Sequence, residues 1–306
     1  MMTAEFHAFG EILWDCLPSG RHAGGAPFNV TAHLVQLGAS AALLSAVGND
    51  ELGDEILEVA KDKGVNTGFV GRHPNLPTGT VRATLDAEGN ATYDIVERVA
   101  WDEIEVSAQA LESVASSRAF IFGSLSCRST HNVRQLRALL DLGGPLKFFD
   151  VNLRPPYADP ERIIELAKRA DVLKLNHEEV GKLAAWIETG EMKCEPPMDA
   201  EAVGRAAAIL AETTSTPRIC VTRAENGAAL WDSGALVTAP APNVAVKDTV
   251  GAGHSFMAGL MIGLARGADP QALLANACRV GAYVASHHGA TPLLPPELVR
   301  LFAETA

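Results

Sequence analysis

Long apolar runs are missing from this 306-residue chain: no stretch approaches the ~20 apolar residues of a membrane span. Basic excess is missing too. The formal net charge is −12, which argues against a nucleic-acid or anionic-membrane surface. Any anionic ligand must then be held by local dipoles and a few cations. Cysteine is sparse: Cys16, Cys127, Cys194, Cys220 and Cys278 are scattered without a CxxC pair. They read as buried thiols of a reducing compartment, not as a disulfide framework or a zinc site. The histidines show no metal-ligand spacing, and the adjacent His287 and His288 would not share a helix face. Met1 to Phe9 has no basic region followed by an apolar run, so no secretory signal is expected and the cytoplasm is the expected location. Neither an internal repeat nor a low-complexity tract is present. What is there, 47% hydrophobic and 20% charged residues, is ordinary for a soluble globular protein with a sizeable core.

The pattern along the chain predicts alternating strands and helices. Residues 6–14 read as a strand, 28–37 as a helix, 41–47 as a strand, and a helix follows the turn Gly48-Asn49-Asp50-Glu51-Leu52-Gly53, with Asp50 as its cap. Residues 65–106 differ. Alternating residues flank Asp86-Ala87-Glu88-Gly89-Asn90, which predicts an antiparallel hairpin in a small separate sheet. The α/β rhythm then resumes, with strands at 119–122, 146–151, 172–175 and 218–222. Helices are expected at 132–142, 161–170, 200–212, 254–265 and 270–287, and a hairpin at 228–237. The polar stretch 189–198 reads as a loop. This order points to a parallel α/β sheet. Polar residues fall repeatedly just after a strand: Asp15, Ser124, Asn152 with Arg154, Asn176 with Glu179, and Thr222. In open parallel sheets that edge is where ligands bind.

The stretch Lys247-Asp248-Thr249-Val250-Gly251-Ala252-Gly253-His254-Ser255-Phe256 carries the strongest chemical signal. A strand-like segment with Val244 and Val246 runs into a small-residue turn, and a helix opens near Ala252. Backbone N–H groups at such a helix start point one way, and the helix dipole adds positive charge. That is a seat for an anion, which Gly251 and Gly253 let approach closely. A purely packing role for the turn also fits its spacing. The Walker pattern is absent, and Phe256 stands where a dinucleotide fingerprint needs its third glycine.

Asp-Thr-Val-Gly-Ala-Gly at 248–253 resembles the C-terminal signature of the PfkB/ribokinase family of sugar kinases, Asp-Thr-x-Gly-Ala-Gly-Asp. Gly10-Glu-Ile-Leu-Trp-Asp15 together with Gly24-Gly-Ala-Pro-Phe-Asn29 is most similar to the fructokinase branch. Asp150-x-Asn152-x-Arg154, Asn176-x-x-Glu179 and the loop Thr222 to Gly227 resemble further family motifs, with Ala224 where the family has a glycine. The likeness spans roughly residues 6–293. It implies a single ribokinase-like domain over 1–306: a three-layer α/β/α fold with a mainly parallel central sheet and a small β-sheet lid formed by about 11–25 and 66–106.

The resemblance implies roles residue by residue. Asp15, Gly24, Gly25, Asn29 and Asn152 would contact the sugar. Arg154 would bridge sugar and transferring phosphoryl, as a guanidinium suits spread negative charge. The amides of Gly251, Ala252, Gly253 and His254 would form the anion hole. Asn176, Thr222, Gly227, Gly253 and Asn276 would bind the nucleotide. Glu179 would place Mg²⁺ through water, since Mg²⁺ keeps several waters. Asp248 and the Val250 backbone are candidates for a monovalent cation such as K⁺. Each residue has a plainer reading: Asp15 as a turn residue, Arg154 as a surface cation, Glu179 as a helix cap.

His254 stands where the family has Asp, the base that takes the proton from the sugar hydroxyl. Three readings of it stay open: an inactivating change in a working scaffold, a surrogate base, or a sugar or nucleotide sensor without chemistry. The expected function is MgATP-dependent transfer of the γ-phosphoryl to a primary hydroxyl of a small sugar, fructose first. Ribose, 2-keto-3-deoxygluconate and nucleoside are the alternatives, and a catalytically inactive binding protein is the rival class. A homodimer is expected from the resemblance.

Overall fold

The computed structural model describes residues 4–17, 20–85, 91–197 and 199–303. Its strands in chain order are β1 (Phe6–Phe9), β2 (Leu13–Leu17), β3 (Gly20–Gly24), β4 (Ala41–Gly48), β5 (Asn66–His73), β6 (Gly79–Leu85), β7 (Ala91–Ile95), β8 (Ala119–Gly123), β9 (Leu146–Asp150), β10 (Val172–Asn176), β11 (Arg218–Thr222), β12 (Ala228–Asp232) and β13 (Ala235–Ala239). Nine of them form one sheet in the order β13-β12-β11-β10-β9-β8-β1-β4-β5. It is parallel from β5 to β11; β12 alone runs the other way, pairing antiparallel with both β11 and β13. The other four make a small sheet, β3-β2-β6-β7.

Strand residues alternate between two apolar layers, as a sheet buried on both faces requires. Phe6, Ala8, Ala119, Ile121, Phe148 and Val172 face helices α1 (Ala26–Gln36), α2 (Glu51–Asp62), α8 (Ala252–Ala265) and α9 (Pro270–Ala285). Phe9, Phe120, Phe122, Phe149 and Leu173 face α3 (Ala108–Ala115), α4 (Thr130–Leu140), α5 (Pro160–Ala167), α6 (His177–Thr189) and α7 (Ala200–Thr214). Phe122 and Phe149 stack with centroids 4.8 Å apart. The three-layer α/β/α architecture expected from the sequence is the one found. No helix among the described residues is long and apolar enough to cross a membrane.

Three local expectations differ. Residues 6–14 do not form one strand: the chain breaks at Gly10, whose φ of 144° favours glycine, so β1 enters the large sheet and β2 the small one. β5, inside the stretch expected to belong to the small sheet, instead pairs in parallel with β4 at the large sheet's edge. Around Val244 and Val246 there is no strand; Pro240 and Pro242 remove donors just past β13, and Val246 is 63% exposed. The hairpin β6–β7 is present, while its turn at 86–90 lies outside the described residues.

Asp50 caps α2 as expected. Its Oδ1 accepts from the Thr78 hydroxyl at 2.5 Å and from Gly53 N at 2.8 Å, its Oδ2 from Thr78 N at 2.8 Å, and these bonds hold its carboxyl below the ordinary value despite the opposing effect of burial. Where the chain leaves β7, Arg128 is the brace. It donates to both oxygens of Asp102 at 2.7 and 2.9 Å and to Val96 O at 2.7 Å, and its guanidinium lies 4.0 Å from the centre of the Trp101 ring.

Candidate functional site

The opening of α8 is built by a glycine that no other residue can replace cheaply. Gly251 is its N-cap, with φ 83°, and a Cβ there would overlap the Ala290 carbonyl. Because the cap has no side chain, no side chain bonds the first turn. Of the four amides expected to form an anion hole, that of Ala252 turns back to Thr249 O at 3.3 Å. Gly253 and His254 hold the next two positions of the first turn, whose N–H groups have no partner within a helix. Asp248 ties the turn down: its Oδ1 accepts from Val250 N and its Oδ2 from Gly289 N, each at 3.0 Å. Val250 is 54% exposed.

Helix α1 brings the opposite wall. Gly25, its N-cap, has φ 107°, and a Cβ there would overlap the Glu11 carbonyl. One turn in, Asn29 is buried, and its Nδ2 lies 3.3 Å from His254 Nδ1. Two motifs far apart in sequence therefore meet. One turn further, His33 Nε2 donates to Ala290 O at 3.0 Å, linking α1 to the segment that backs Gly251. Asp15 on β2 pairs with His22 on β3, and its carboxylate lies against Gly24 Cα.

Electrostatics join these groups. Burial pushes the Asp15 carboxyl up to about 6, partly offset by His22 and then Arg154, and that of the fully buried Glu11 up to about 7, partly offset by backbone hydrogen bonds and then by Arg154 and Arg128. Burial first, then Lys174, Arg154 and His33, pushes the His254 imidazole down to about 3. One exposed guanidinium, Arg154, is thus felt by Asp15, Glu11 and His254, and its own bond is to the neighbouring Leu153 O at 3.0 Å. Asn152 turns this loop, with a positive φ of 40° that asparagine tolerates better than most residues.

The strand ends expected on the nucleotide side lie together. Asn176 and Thr222 are register partners at the ends of β10 and β11. Asn176 Oδ1 caps α6 through Glu179 N at 2.8 Å, and Glu179 Oε2 accepts from Asn176 N at 2.8 Å. Glu179 Oε1 takes Leu153 N at 2.8 Å, so this buried carboxylate cross-links the 152–154 loop to the start of α6. Thr222 Oγ1 reaches Leu175 O at 3.4 Å. Gly227 has φ 83°, and a Cβ there would overlap the Ala239 carbonyl. Ala224, in the family's glycine position, is left-handed with φ 48°. A hollow of about 30 Å³ lies here between His177, Pro197 and Arg223 to Asn226. Asn276 is half-buried on α9, and no hydrogen bond among the described residues joins it to these strand ends.

Two groups at this site were missed in the sequence. Lys174 is buried in β10, with Nζ 3.1 and 3.4 Å from the two oxygens of Asp150 on β9. Its signal was available: a charge in a central strand between Leu173 and Leu175 needs a buried partner. Glu11 is the other. Its Oε1 accepts from Ala26 N at 3.2 Å, and its Oε2 is buried without a partner.

A family model described as pfkB family carbohydrate kinase matches residues 5–297. The chain belongs to this family. Its chemistry is phosphoryl transfer to an alcohol group of a carbohydrate. Among similar proteins, the probable chloroplastic fructokinase-6 of Arabidopsis thaliana is 30% identical over 94% of this chain and 79% of its own length. Fructokinase-2 of Oryza sativa subsp. japonica is 27% identical over 94% and 90%. Among solved structures, an uncharacterized sugar kinase from Pyrococcus horikoshii, in complex with ATP, superposes with a TM-score of 0.78 at 25% identity, covering 97% of this chain and all of that one. The fructokinase of Xylella fastidiosa with bound ATP gives 0.81 at 23%, covering 97% and 98%, a likeness of fold.

Proposed function

We propose that this PfkB-family chain transfers the γ-phosphoryl of MgATP to a primary hydroxyl of a small sugar, fructose first. The observation that carries the reading is the Asn29–His254 contact, which sets the wall expected to hold sugar against the helix start expected to hold phosphate. The fructokinase names of the relatives support fructose, and the ATP-bound relative from Pyrococcus supports the nucleotide.

In this reading Asp15 and Asn29 orient the sugar. The amides at Gly253 and His254 receive the phosphoryl, and Arg154 spreads its charge. The donor set fits Mg²⁺ held at second hand: both Glu179 oxygens already accept backbone amides, and each keeps a lone pair for a bridging water. When bound, Mg²⁺ would neutralise phosphate charge. His254 is a poor substitute for a carboxylate. In the orientation present, Asn29 Nδ2 donates to Nδ1, which puts the imidazole proton on Nε2, and the ring then offers the substrate a donor in place of a base. Transfer is therefore slow. We further propose that the small sheet is a lid that limits ATP hydrolysis and, through its edge strands β3 and β7, the contact of a homodimer. A monovalent cation at the Asp248–Val250 turn, and a cytoplasmic location, belong to the same proposal.

The test is ADP release over fructose, ribose, 2-keto-3-deoxygluconate and a nucleoside, with the parent chain beside His254→Asp. We expect His254→Asp to phosphorylate fructose about 10²–10⁴-fold faster than the parent, the span that general-base catalysis contributes. Absence of turnover in both, with sugar still raising the melting temperature, would replace the kinase by a binding protein.

A further inference from the structure

We propose that Lys174 is a positioning residue for phosphoryl transfer: held by Asp150 behind the turn at Gly253, its ammonium gives the anion seat a fixed positive charge from the sheet side. The proposal rests on the kinase reading above.

Strand alternation sends Leu173 and Leu175 to one layer and Lys174 to the other, where α8 packs. Phe149 and Asp150 alternate in the same way on β9. The ammonium then reaches the helix start itself, since a Cβ on Gly253 would stand 3.3 Å from Nζ. Both hydrogen bonds of Nζ go to one carboxylate, Asp150. An ammonium has three donors, and no side chain caps the α8 turn above it.

A helix N-terminus carries partial positive charge and is stabilised by an anion, so a cation beneath it is the wrong sign for a resting helix. The buried pair gives no strong stability reason either, because the desolvation of such ions offsets their attraction. The arrangement becomes favourable when an anion occupies the turn. Asp150 and Glu179 outweigh the effect of burial and raise the Lys174 ammonium above its ordinary value, so it stays charged. Its charge also helps keep His254 neutral, together with Arg154 from the 152–154 loop and His33 from α1.

The test uses His254→Asp as background, so that turnover is measurable, and adds Lys174→Met alone and with Asp150→Asn. The double substitution removes the orphan carboxylate that could unfold the single one. We expect both to lower kcat about 100-fold, the loss typical of one oxyanion-hole donor, with KM for fructose within about threefold. Calorimetry on the chain without His254→Asp gives a readout independent of turnover. There, MgADP with aluminium fluoride and fructose should bind about 100-fold more weakly to the Lys174→Met/Asp150→Asn variant, while MgADP alone binds equally. A folded double variant that keeps the kcat of its His254→Asp background would overturn the proposal and leave the kinase reading standing. If His254→Asp turns over no sugar and aluminium fluoride adds nothing to MgADP binding, the kinase reading fails and this proposal falls with it.

Discussion

Asn29 Nδ2 and His254 Nδ1 lie 3.3 Å apart across 225 residues of sequence, and this one contact decides which imidazole nitrogen is bare. With the amide nitrogen toward the ring, Nδ1 accepts and Nε2 carries the proton; the flipped amide would instead take a proton from Nδ1. Asn29 Oδ1 is meanwhile buried without a partner. The pair is thus a tautomer lock with one unmet acceptor.

Asn29→Asp should reverse the lock. A carboxylate accepts, so Nδ1 takes the proton and Nε2 becomes free to act as a base, the logic by which an aspartate orients a catalytic histidine. The added anion also stabilises the imidazolium. We expect the His254 titration midpoint, held near 3 by burial and its cationic neighbours, to rise by one or more pH units in histidine NMR. The kcat should rise with it, and KM for sugar should rise too, because a sugar contact is lost. An unmoved His254 resonance would show that Asn29 does not set the tautomer.

Stability in acid should depend on five groups whose protonation changes on folding. Burial lowers His7 and His33 to about 4 and, with nearby cations, His254 to about 3, so near pH 5 the unfolded chain binds three protons that the folded chain refuses. Burial raises Glu11 to about 7 and Asp15 to about 6, so at the same pH the folded chain holds two protons that the unfolded chain releases. The unfolded state keeps a net excess of one. Stability therefore falls as pH drops, by about 1.4 kcal/mol per unit from these groups. Glu11→Gln removes one of the two folded-state protons and should double that slope. Denaturant titrations spanning pH about 5 measure it; an unchanged slope would mean that Glu11 is ionised in the folded protein.

What the sequence made legible was local. Strand ends such as Asn152 and Thr222 announce themselves by an apolar run followed by polar residues, and Asp50 by its place before a helical pattern. Chain-distant relations were hidden. Lys174 and Asp150 pair across 24 residues, and each strand looks complete without the other. The break at Gly10 depends on a backbone angle, and a glycine can equally sit inside a strand. β5 reads as another alternating strand, and which sheet it joins is set by its neighbour β4.

Ala224 offers a clean backbone test. It holds φ 48° at the turn after β11, a conformation that costs a residue with a Cβ roughly 1–2 kcal/mol and glycine little. Part of that gain is offset by the larger freedom of glycine in the unfolded chain. Ala224→Gly should stabilise the protein by about 0.5–1 kcal/mol in urea titrations. A loss of stability would mean that the methyl makes contacts worth more than the strain.

Gly251 and Gly253 sit two residues apart, yet they should fail in different ways. At Gly251 the positive φ and the Ala290 carbonyl both exclude a Cβ, and the carbonyl is backbone held by His33. Alanine there must move the chain, so we expect Gly251→Ala to cost more than about 2 kcal/mol of stability, as backbone strain and overpacking add. At Gly253 a new methyl would meet the end of the Lys174 side chain at 3.3 Å, a contact that a small shift relieves. Gly253→Ala should stay within about 1 kcal/mol of the parent. Its methyl would nonetheless lie between the ammonium and any anion on the turn. Measured by calorimetry, its affinity for MgATP should fall at least tenfold while its melting temperature holds. If Gly253→Ala instead unfolds like Gly251→Ala, the space above Lys174 is packed structure with no room for an anion.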